Sequence, residues 1–203
     1  MVGDARESAG WLLPILSTAD LFAVFYWRRH AAVGRLMSLI PWVLGGLPLG
    51  AVALALDVRY LRPLIGVIIL LMLAVFLIRR RKPDALPIAD HAWPYGVMAG
   101  FATTIANAAG PVMNLYLLSR KLPKEEFIAT GAWFFFVVNL SKVPVYLWYG
   151  MFSRQSLSFN AAMIVPVIAG AVTGRWLFQH IPLRLFEILV TVMTVVSTLL
   201  LFR

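Results

Sequence analysis

The sequence predicts an all-α membrane protein that crosses the bilayer several times, and three observations predict this class. The 203-residue chain is 61% hydrophobic and only 13% charged, whereas about a quarter of the residues in soluble domains are charged. Its apolar residues form segments near the roughly 20-residue length that crosses a hydrocarbon core. One of these segments is interrupted by a Gly-Pro pair and two asparagines. We therefore expect about six spanning helices plus one broken or re-entrant helix.

The apolar segments, named A to G, are separated by short connections. Segment D is the interrupted one, and the other six are continuous. Each continuous segment has about the length of a single membrane-spanning helix. The segments are A (11–27), B (36–56), C (61–78), D (93–118), E (127–149), F (160–178) and G (183–202).

The basic excess of the chain indicates membrane topology rather than nucleic-acid binding. The formal net charge is +9, but the Lys and Arg residues lie between apolar segments instead of on one polar face. The chain contains no cysteine and only three histidines, and these lack the spacing of metal ligands, so we predict no metal and no cofactor. The expected partners are the lipid bilayer and a small anionic substrate, and a homo-oligomer is left open.

The sequence does not predict an enzyme. Neither G-x-S-x-G nor H-E-x-x-H occurs in it, so the common hydrolytic motifs are absent. No nucleophile is accompanied by a base and an orienting group at matching membrane depth. The polar start of the chain leads into a full-length span without a cleavage site, which argues against a cleavable signal peptide.

The positive charges in the connections predict the orientation of the segments, because cytoplasmic loops hold the Lys/Arg excess. Basic clusters follow segments A and C, so both connections are expected on the cytoplasmic side. If segment D crosses the membrane, 9 Lys and Arg residues of the connections, tails and segment ends lie inside and 8 outside. A segment D that enters and returns gives 12 inside and 5 outside. We therefore predict that D is re-entrant.

A weak internal sequence similarity predicts two inverted repeats. The Gly-xxx-Gly motif that starts at Gly46 in B recurs at Gly170 in F, so that A, B and C match E, F and G. With a re-entrant D the two triplets run in opposite directions, as in many secondary transporters. Residues 1–82 then form a first, incomplete repeat of three helices, and residues 93–203 form the second, which includes D. We expect that the natural chain begins earlier, or that the protein transports differently or does not transport.

A stripe of small residues occupies the first part of segment D. Gly96, Gly100, Thr104 and Ala108 recur at every fourth position, so they lie on one helix face. Small residues let a second helix approach closely. We expect this stripe to serve helix packing.

The Gly-Pro pair in segment D predicts a helix break and an anion site. Gly110-Pro111 should end the incoming half-helix near Ala109 or Gly110, because proline lacks an N–H and disfavours helical geometry in the preceding residue. Pro111 suits the first position of a second half-helix. The positive end of that half-helix would face the break, beside Asn107, and favour an anion. A transmembrane helix with a proline kink is the alternative.

Three polar side chains lie deep in segments A and E. Asn139 and Lys142 share a helix face in E, and a lysine near mid-membrane needs a counter-charge, water or a ligand. Asp20 in A aligns closely with Lys142 under the repeat, so the two charges are expected to face each other. We interpret Asn139 and Lys142 as substrate-binding residues and Asp20 as a coupling residue or an ion-pair partner. A snorkelling or paired structural lysine is the alternative.

These residues lie in stretches that resemble the sulfite exporter TauE/SafE family of bacterial membrane permeases. Three stretches carry the resemblance, and the middle one is the most specific. They are LLPILSTADLFAVFYWRRHA at 12–31, GFATTIANAAGPVMNLYLLSRKLPKEEFIATGAWFFFVVNLSKVPVY at 100–146, and the Gly-x-x-x-Gly-Arg segment at 170–175.

The resemblance implies an all-helical, multi-pass permease of two repeats in the bacterial cytoplasmic membrane. It implies transport of sulfite, sulfoacetate or a related sulfonate. Where the family usually has Gly-Ala-Gly-Gly-Pro, this chain has Asn107 at the first position and Ala109 at the third. We expect less close backbone approach at Ala109 and a side-chain donor at Asn107. The alternative function is a non-transporting membrane scaffold or assembly partner.

Overall fold

The structure is a computed structural model, and it describes residues 5–53, 58–82, 84–85, 87–148, 150 and 152–202. Within these ranges the backbone forms helices and no strand, which confirms the predicted all-α class. Three short 3-10 helices are Arg28–His30, Pro87–Asp90 and Leu200–Phe202. The α-helices are α1 (Ala5–Trp27), α2 (Val33–Ala53), α3 (Val58–Arg81), α4 (Trp93–Ala106), α5 (Ala109–Ser119), α6 (Lys124–Trp148), α7 (Arg154–His180) and α8 (Leu183–Leu199).

Within the described residues each predicted segment lies on a helix, and segment D is divided between α4 and α5. The last residues of segment B (54–56) and of segment E (149) lie outside the described residues. Five helices of the described chain are long and apolar enough, by length and composition, to cross a membrane. They are α2, α6, the greater part of α3 and α7, and α8 together with the 3-10 helix that follows it. Helix α1 has 23 residues, which is roughly 35 Å at 1.5 Å per residue. The multi-pass class is therefore confirmed, and α1 stays the predicted sixth span.

The helices group into two compact units that each draw on both halves of the chain. Unit 1 comprises Met1–Ala31 and Ile128–Ile181, and unit 2 comprises Ala32–Phe127 and Pro182–Arg203. Unit 1 therefore contains α1, most of α6, and α7, whereas unit 2 contains α2 to α5 and α8. The units are groups of contacting helices, whereas the two repeats are a symmetry relation along the chain. The repeats thus stay a prediction.

In unit 2, glycines bring α2 and α4 close together. A Cβ atom at Gly100 would collide with the carbonyl oxygen of Val43, and one at Gly46 would collide with that of Val97. Thr104 Oγ1 donates a 3.3 Å hydrogen bond across to the backbone of α2. The small-residue stripe of α4 thus packs against α2, as predicted.

Segment D forms a helical hairpin, because α5 runs back alongside α4. The ring of Tyr116 in α5 lies near that of Tyr95 at the start of α4, with the ring centroids 5.4 Å apart. Tyr116 Oη also donates a 3.1 Å hydrogen bond to the carbonyl oxygen of Arg35, in the first turn of α2. The start of α4 and the later part of α5 therefore lie at the same end of unit 2. Segment D therefore folds back on itself, which agrees with the predicted re-entry, and its place in the membrane stays a prediction.

In unit 1, α1 and α7 lie side by side and run in the same direction. Near the start of both helices, the rings of Trp11 and Phe159 have centroids 5.4 Å apart. Near the end of both helices, the rings of Trp27 and Phe178 have centroids 5.2 Å apart. Aromatic pairs of this kind contribute about 0.5–1.5 kcal/mol beyond the burial of their surface. The two pairs stabilise the parallel contact at both of its ends.

The two Gly-xxx-Gly motifs that are related by the internal sequence similarity have different surroundings. Gly46 and Gly50 in α2 are covered by α4, and a Cβ at Gly50 would lie 2.7 Å from Thr104 Cβ. A Cβ at Gly170 or Gly174 in α7 would meet no described atom within 4 Å. Within the part of the chain that the structure describes, the motif therefore mediates close packing in α2 and not in α7.

Replacing Gly100 with alanine should destabilise the protein, because the new methyl group would overlap the carbonyl oxygen of Val43. Overpacking of this kind costs roughly 1–3 kcal/mol. Gly170→Ala is the matched control, since its methyl group meets open space and alanine favours the helix. The melting temperature of the purified protein in detergent measures both effects. Equal melting temperatures for Gly100→Ala and the wild type would contradict the packing between α2 and α4.

Candidate functional site

The break in segment D begins with a residue in the left-handed conformation. Asn107 ends α4 with φ 52° and ψ 32°, a conformation that asparagine adopts more readily than most residues. Its N–H donates to Thr103 O at 3.1 Å, and Ala108 N–H donates to Ala102 O at 3.2 Å. These bonds satisfy carbonyl groups at the end of α4, which lipid cannot do.

The position of this break corrects the prediction from sequence. We predicted that α4 would end near Ala109 or Gly110 and that Pro111 would start the next helix, but α5 spans Ala109–Ser119. Pro111 therefore occupies the third position of α5. The first four N–H groups of a helix have no partner inside that helix, so proline loses no hydrogen bond there. Left-handed Asn107, rather than Pro111, ends the first half-helix.

The N-terminal end of α5 faces the break without a capping side chain. Its N-cap residue is Ala108, and its first turn contains no acidic residue. Gly110 is helical, and a Cβ added to it would meet no described atom within 4 Å. Neither the backbone conformation nor packing within the described chain requires a glycine here. The positive end of α5 and the open space at Gly110 suit an anion that approaches the backbone N–H groups.

Unit 1 holds the other predicted site residues. Asn139 Nδ2 in α6 donates a 2.7 Å hydrogen bond to Asp20 Oδ2 in α1. The side chain of Asn139 is buried, with 6% exposure. Lys142, three residues further along α6, interacts electrostatically with Asp20. The structure therefore brings these three residues together, and we name them the Asp20 cluster.

The Asp20 cluster offsets one negative charge with one positive charge between apolar helices. An isolated charge at such a position costs several kcal/mol, and the electrostatic interaction between Asp20 and Lys142 offsets part of this cost. The hydrogen bond from Asn139 to the carboxylate is charge-assisted, and bonds to charged groups contribute roughly 1.5–3 kcal/mol. An anion that reached Lys142 would compete with Asp20 for the same positive charge.

The sequence analysis did not assign two polar residues of α5 that connect this helix to others. Asn114 Nδ2 donates a 3.3 Å hydrogen bond to Thr194 Oγ1 in α8. Tyr116 is 1% exposed, and its hydroxyl bonds to the backbone of α2. The bonding partners lie 80 and 81 residues away in sequence. The one local signal is a polar atom on an apolar helix, because a buried tyrosine hydroxyl usually finds a hydrogen-bond partner.

A comparison with protein families identifies the relatives of the chain. The model of the family described as Sulfite exporter TauE/SafE matches residues 1–201. The chain belongs to the sulfite exporter TauE/SafE family. Comparisons with curated proteins and with solved structures gave no match. The TauE/SafE match confirms the resemblance in the sequence and makes the chain a member of a family of membrane transporters of the sulfite and sulfonate type.

TauE/SafE membership accounts for the combination of long apolar helices with an interrupted segment. A transporter must accept its substrate at membrane depth, where irregular backbone is tolerated only against protein or a water-filled cavity. The break between α4 and α5 lies in unit 2, and the Asp20 cluster lies in unit 1. Each of the two offers polar groups within a segment that is otherwise apolar.

Proposed function

We propose that this TauE/SafE protein transports sulfite, sulfoacetate or a related sulfonate across the bacterial cytoplasmic membrane. The observation that carries the proposal is the family match over residues 1–201. The described helices of spanning length support a multi-pass location in a membrane. The family description implies export as the direction of transport.

The anion is proposed to bind at the break between α4 and α5. The N-terminal end of α5 attracts negative charge through its dipole and its N–H groups. Asn107 is exposed beside the break and carries an amide donor. Gly110 leaves room for oxygen atoms against the backbone, and Pro111 restricts the backbone of the first turn. A sulfite or sulfonate group suits this arrangement, because its oxygens share a negative charge and all accept hydrogen bonds.

The Asp20 cluster is proposed to couple anion movement to protonation. Lys142 offers a positive charge to the substrate, and Asp20 competes with the substrate for that charge. A proton on Asp20 removes the competing charge. The hydrogen bond from Asn139 keeps the carboxyl group in place while its charge changes. Asn139 and Lys142 thus act on the substrate, and Asp20 controls when Lys142 is available.

Lys142→Ala should lower the flux of sulfite or a sulfonate into proteoliposomes at least tenfold, because a tenfold rate change needs only about 1.4 kcal/mol. Lys121→Ala, which changes an exposed lysine after α5, is the matched control and should retain the flux. Saturable flux that is unchanged in Lys142→Ala would remove Lys142 from the mechanism. No saturable flux in the wild type would favour the membrane scaffold instead.

Gly110→Ala should raise the KM for the transported anion while leaving the melting temperature unchanged. The added methyl group meets open space within the described chain, so it disturbs the anion rather than the packing. Gly45→Ala, which also meets open space but lies on α2, is the control for replacing a glycine in a helix. A wild-type KM in Gly110→Ala would exclude close approach of the anion to this part of the backbone.

Asp20→Asn should abolish the pH dependence of transport. In the wild type, flux of a sulfonate should rise as the pH falls, because protonation of Asp20 frees Lys142 for the substrate. A sulfonate is the suitable substrate, since its sulfonate group stays ionised throughout. The test measures initial rates in proteoliposomes over a range of pH values. Glu187→Gln, which removes a carboxylate 3.4 Å from Arg80, is the control. A pH profile of Asp20→Asn that matches the wild type would exclude the coupling role.

A further inference from the structure

A cavity opens at the end of unit 2 at which the rings of Tyr95 and Tyr116 meet. Its volume is about 530 Å³, which lies within the range of pockets that hold small ligands. We name this cavity the basic pocket. Its lining includes Arg35, Ser38, His91, Trp93, Tyr116 and Arg120.

Three connections of the chain meet at the basic pocket. Arg35 lies in the first turn of α2, His91 lies just before α4, and Arg120 is the C-cap residue of α5. Positive charge predicts a cytoplasmic location for each of these connections. The break at Asn107 lies at the other end of the α4–α5 hairpin. The basic pocket is therefore distinct from the proposed substrate position, and its ligand is a question separate from transport.

The floor of the basic pocket is the buried ring of Tyr116. The Arg120 guanidinium lies over this ring, 4.8 Å from its centroid, and a cation–π interaction holds it there. Tyr116 Oη donates to Arg35 O at 3.1 Å and lies 3.4 Å from Ser38 Oγ. Arg120 Nε is buried and has no hydrogen-bond partner among the described residues. A ligand in the pocket cannot reach this buried atom, so the guanidinium of Arg120 would bind an oxyanion through its Nη atoms.

The basic pocket concentrates positive charge. Arg35 and Arg120 contribute two full charges, and none of the described lining residues is acidic. Helix α4 begins at the pocket with Ala92 as its N-cap, without a capping side chain or an acidic residue in its first turn. The first turn of α2 also contains no acidic residue. The N-terminal ends of α2 and α4 each add roughly half a positive charge. The C-terminal end of α5 adds roughly half a negative charge.

We propose that the basic pocket binds a tetrahedral oxyanion group, either a phosphate or a sulfonate. The planar fork of a guanidinium matches two oxygens of such a group. Trp42 and Trp93 line the pocket, and tryptophans are typical of the membrane interface. Basic pockets between transmembrane helices on the cytoplasmic side bind anionic lipid headgroups. The oxyanion group therefore belongs either to a lipid headgroup or to a soluble anion beside the membrane.

The binding test uses the full chain, purified in detergent, with two kinds of probe. Phosphatidylglycerol represents the lipid headgroup, and phosphatidylcholine with the same acyl chains is its zwitterionic control. Inorganic phosphate and methanesulfonate represent the soluble anion. The dissociation constant follows from the melting temperature as a function of probe concentration, because a ligand that binds the folded protein stabilises it.

Arg120→Gln should weaken binding at least tenfold, because it removes the Nη donors and one positive charge. Arg35→Gln should weaken binding as well, and it is the second variant because Arg35 is exposed and its loss leaves the core intact. Arg81→Gln is the matched control, since Arg81 is an exposed arginine of unit 2 that is not among the described lining residues. Lys142→Ala should leave the binding of phosphatidylglycerol and of inorganic phosphate unchanged, whether or not it transports.

The two probes distinguish the two sources of the oxyanion group. Binding of phosphatidylglycerol that is weakened in both pocket variants and kept in Arg81→Gln would assign the pocket to a lipid headgroup. The same pattern with phosphate or methanesulfonate would assign it to a soluble anion. Absence of binding by both kinds of probe would overturn the proposal. Equal binding by the wild type and the two pocket variants would overturn it too.

Discussion

The rest of the structure depends on one constraint, that every backbone polar group inside a bilayer must find a partner within the protein or in a water-filled cavity. Continuous helices meet the constraint by themselves. At the break between α4 and α5 the carbonyl groups in the last turns of α4 meet it locally, because Asn107 and Ala108 donate hydrogen bonds to them. Close packing on α2 then holds the first half-helix against a neighbouring backbone. A break with its carbonyls satisfied is thus compatible with membrane depth.

The three polar regions of the protein differ in the way they carry charge. The Asp20 cluster contains two opposite charges, the break offers the partial charges of a helix end, and the basic pocket carries a positive excess. A transport protein must bind its ion well enough to admit it and weakly enough to release it. Partial and balanced charges at depth, with full charges at an end of a unit, meet that requirement for an anion. This distribution supports the proposed transport of sulfite or a sulfonate.

Local rules in the sequence predicted most of the fold, and tertiary contacts account for what was missed. Apolar length located each helix, loop charges predicted the return of segment D, and the repeat alignment predicted that Asp20 meets Lys142. The break was predicted too late because the effect of Pro111 depends on whether its missing N–H is needed. The polar hydroxyl of Tyr116 on an apolar helix predicts a hydrogen bond, but nothing local predicts that its partner is a carbonyl 81 residues away. Gly46 and Gly170 both begin a Gly-xxx-Gly motif, but close packing at such a motif depends on whether a neighbouring helix covers it.

The parallel contact between α1 and α7 also limits how many membrane crossings can lie between these two helices. Two spanning helices can run in the same direction only if an odd number of crossings separates them along the chain. If α1 crosses the membrane as predicted, and α2, α3 and α6 each cross it once, segment D contributes an even number of crossings. This agrees with the predicted re-entry of segment D. The aromatic pairs at the two ends of α1 and α7 thus lead to the same even number that the hairpin of α4 and α5 indicates.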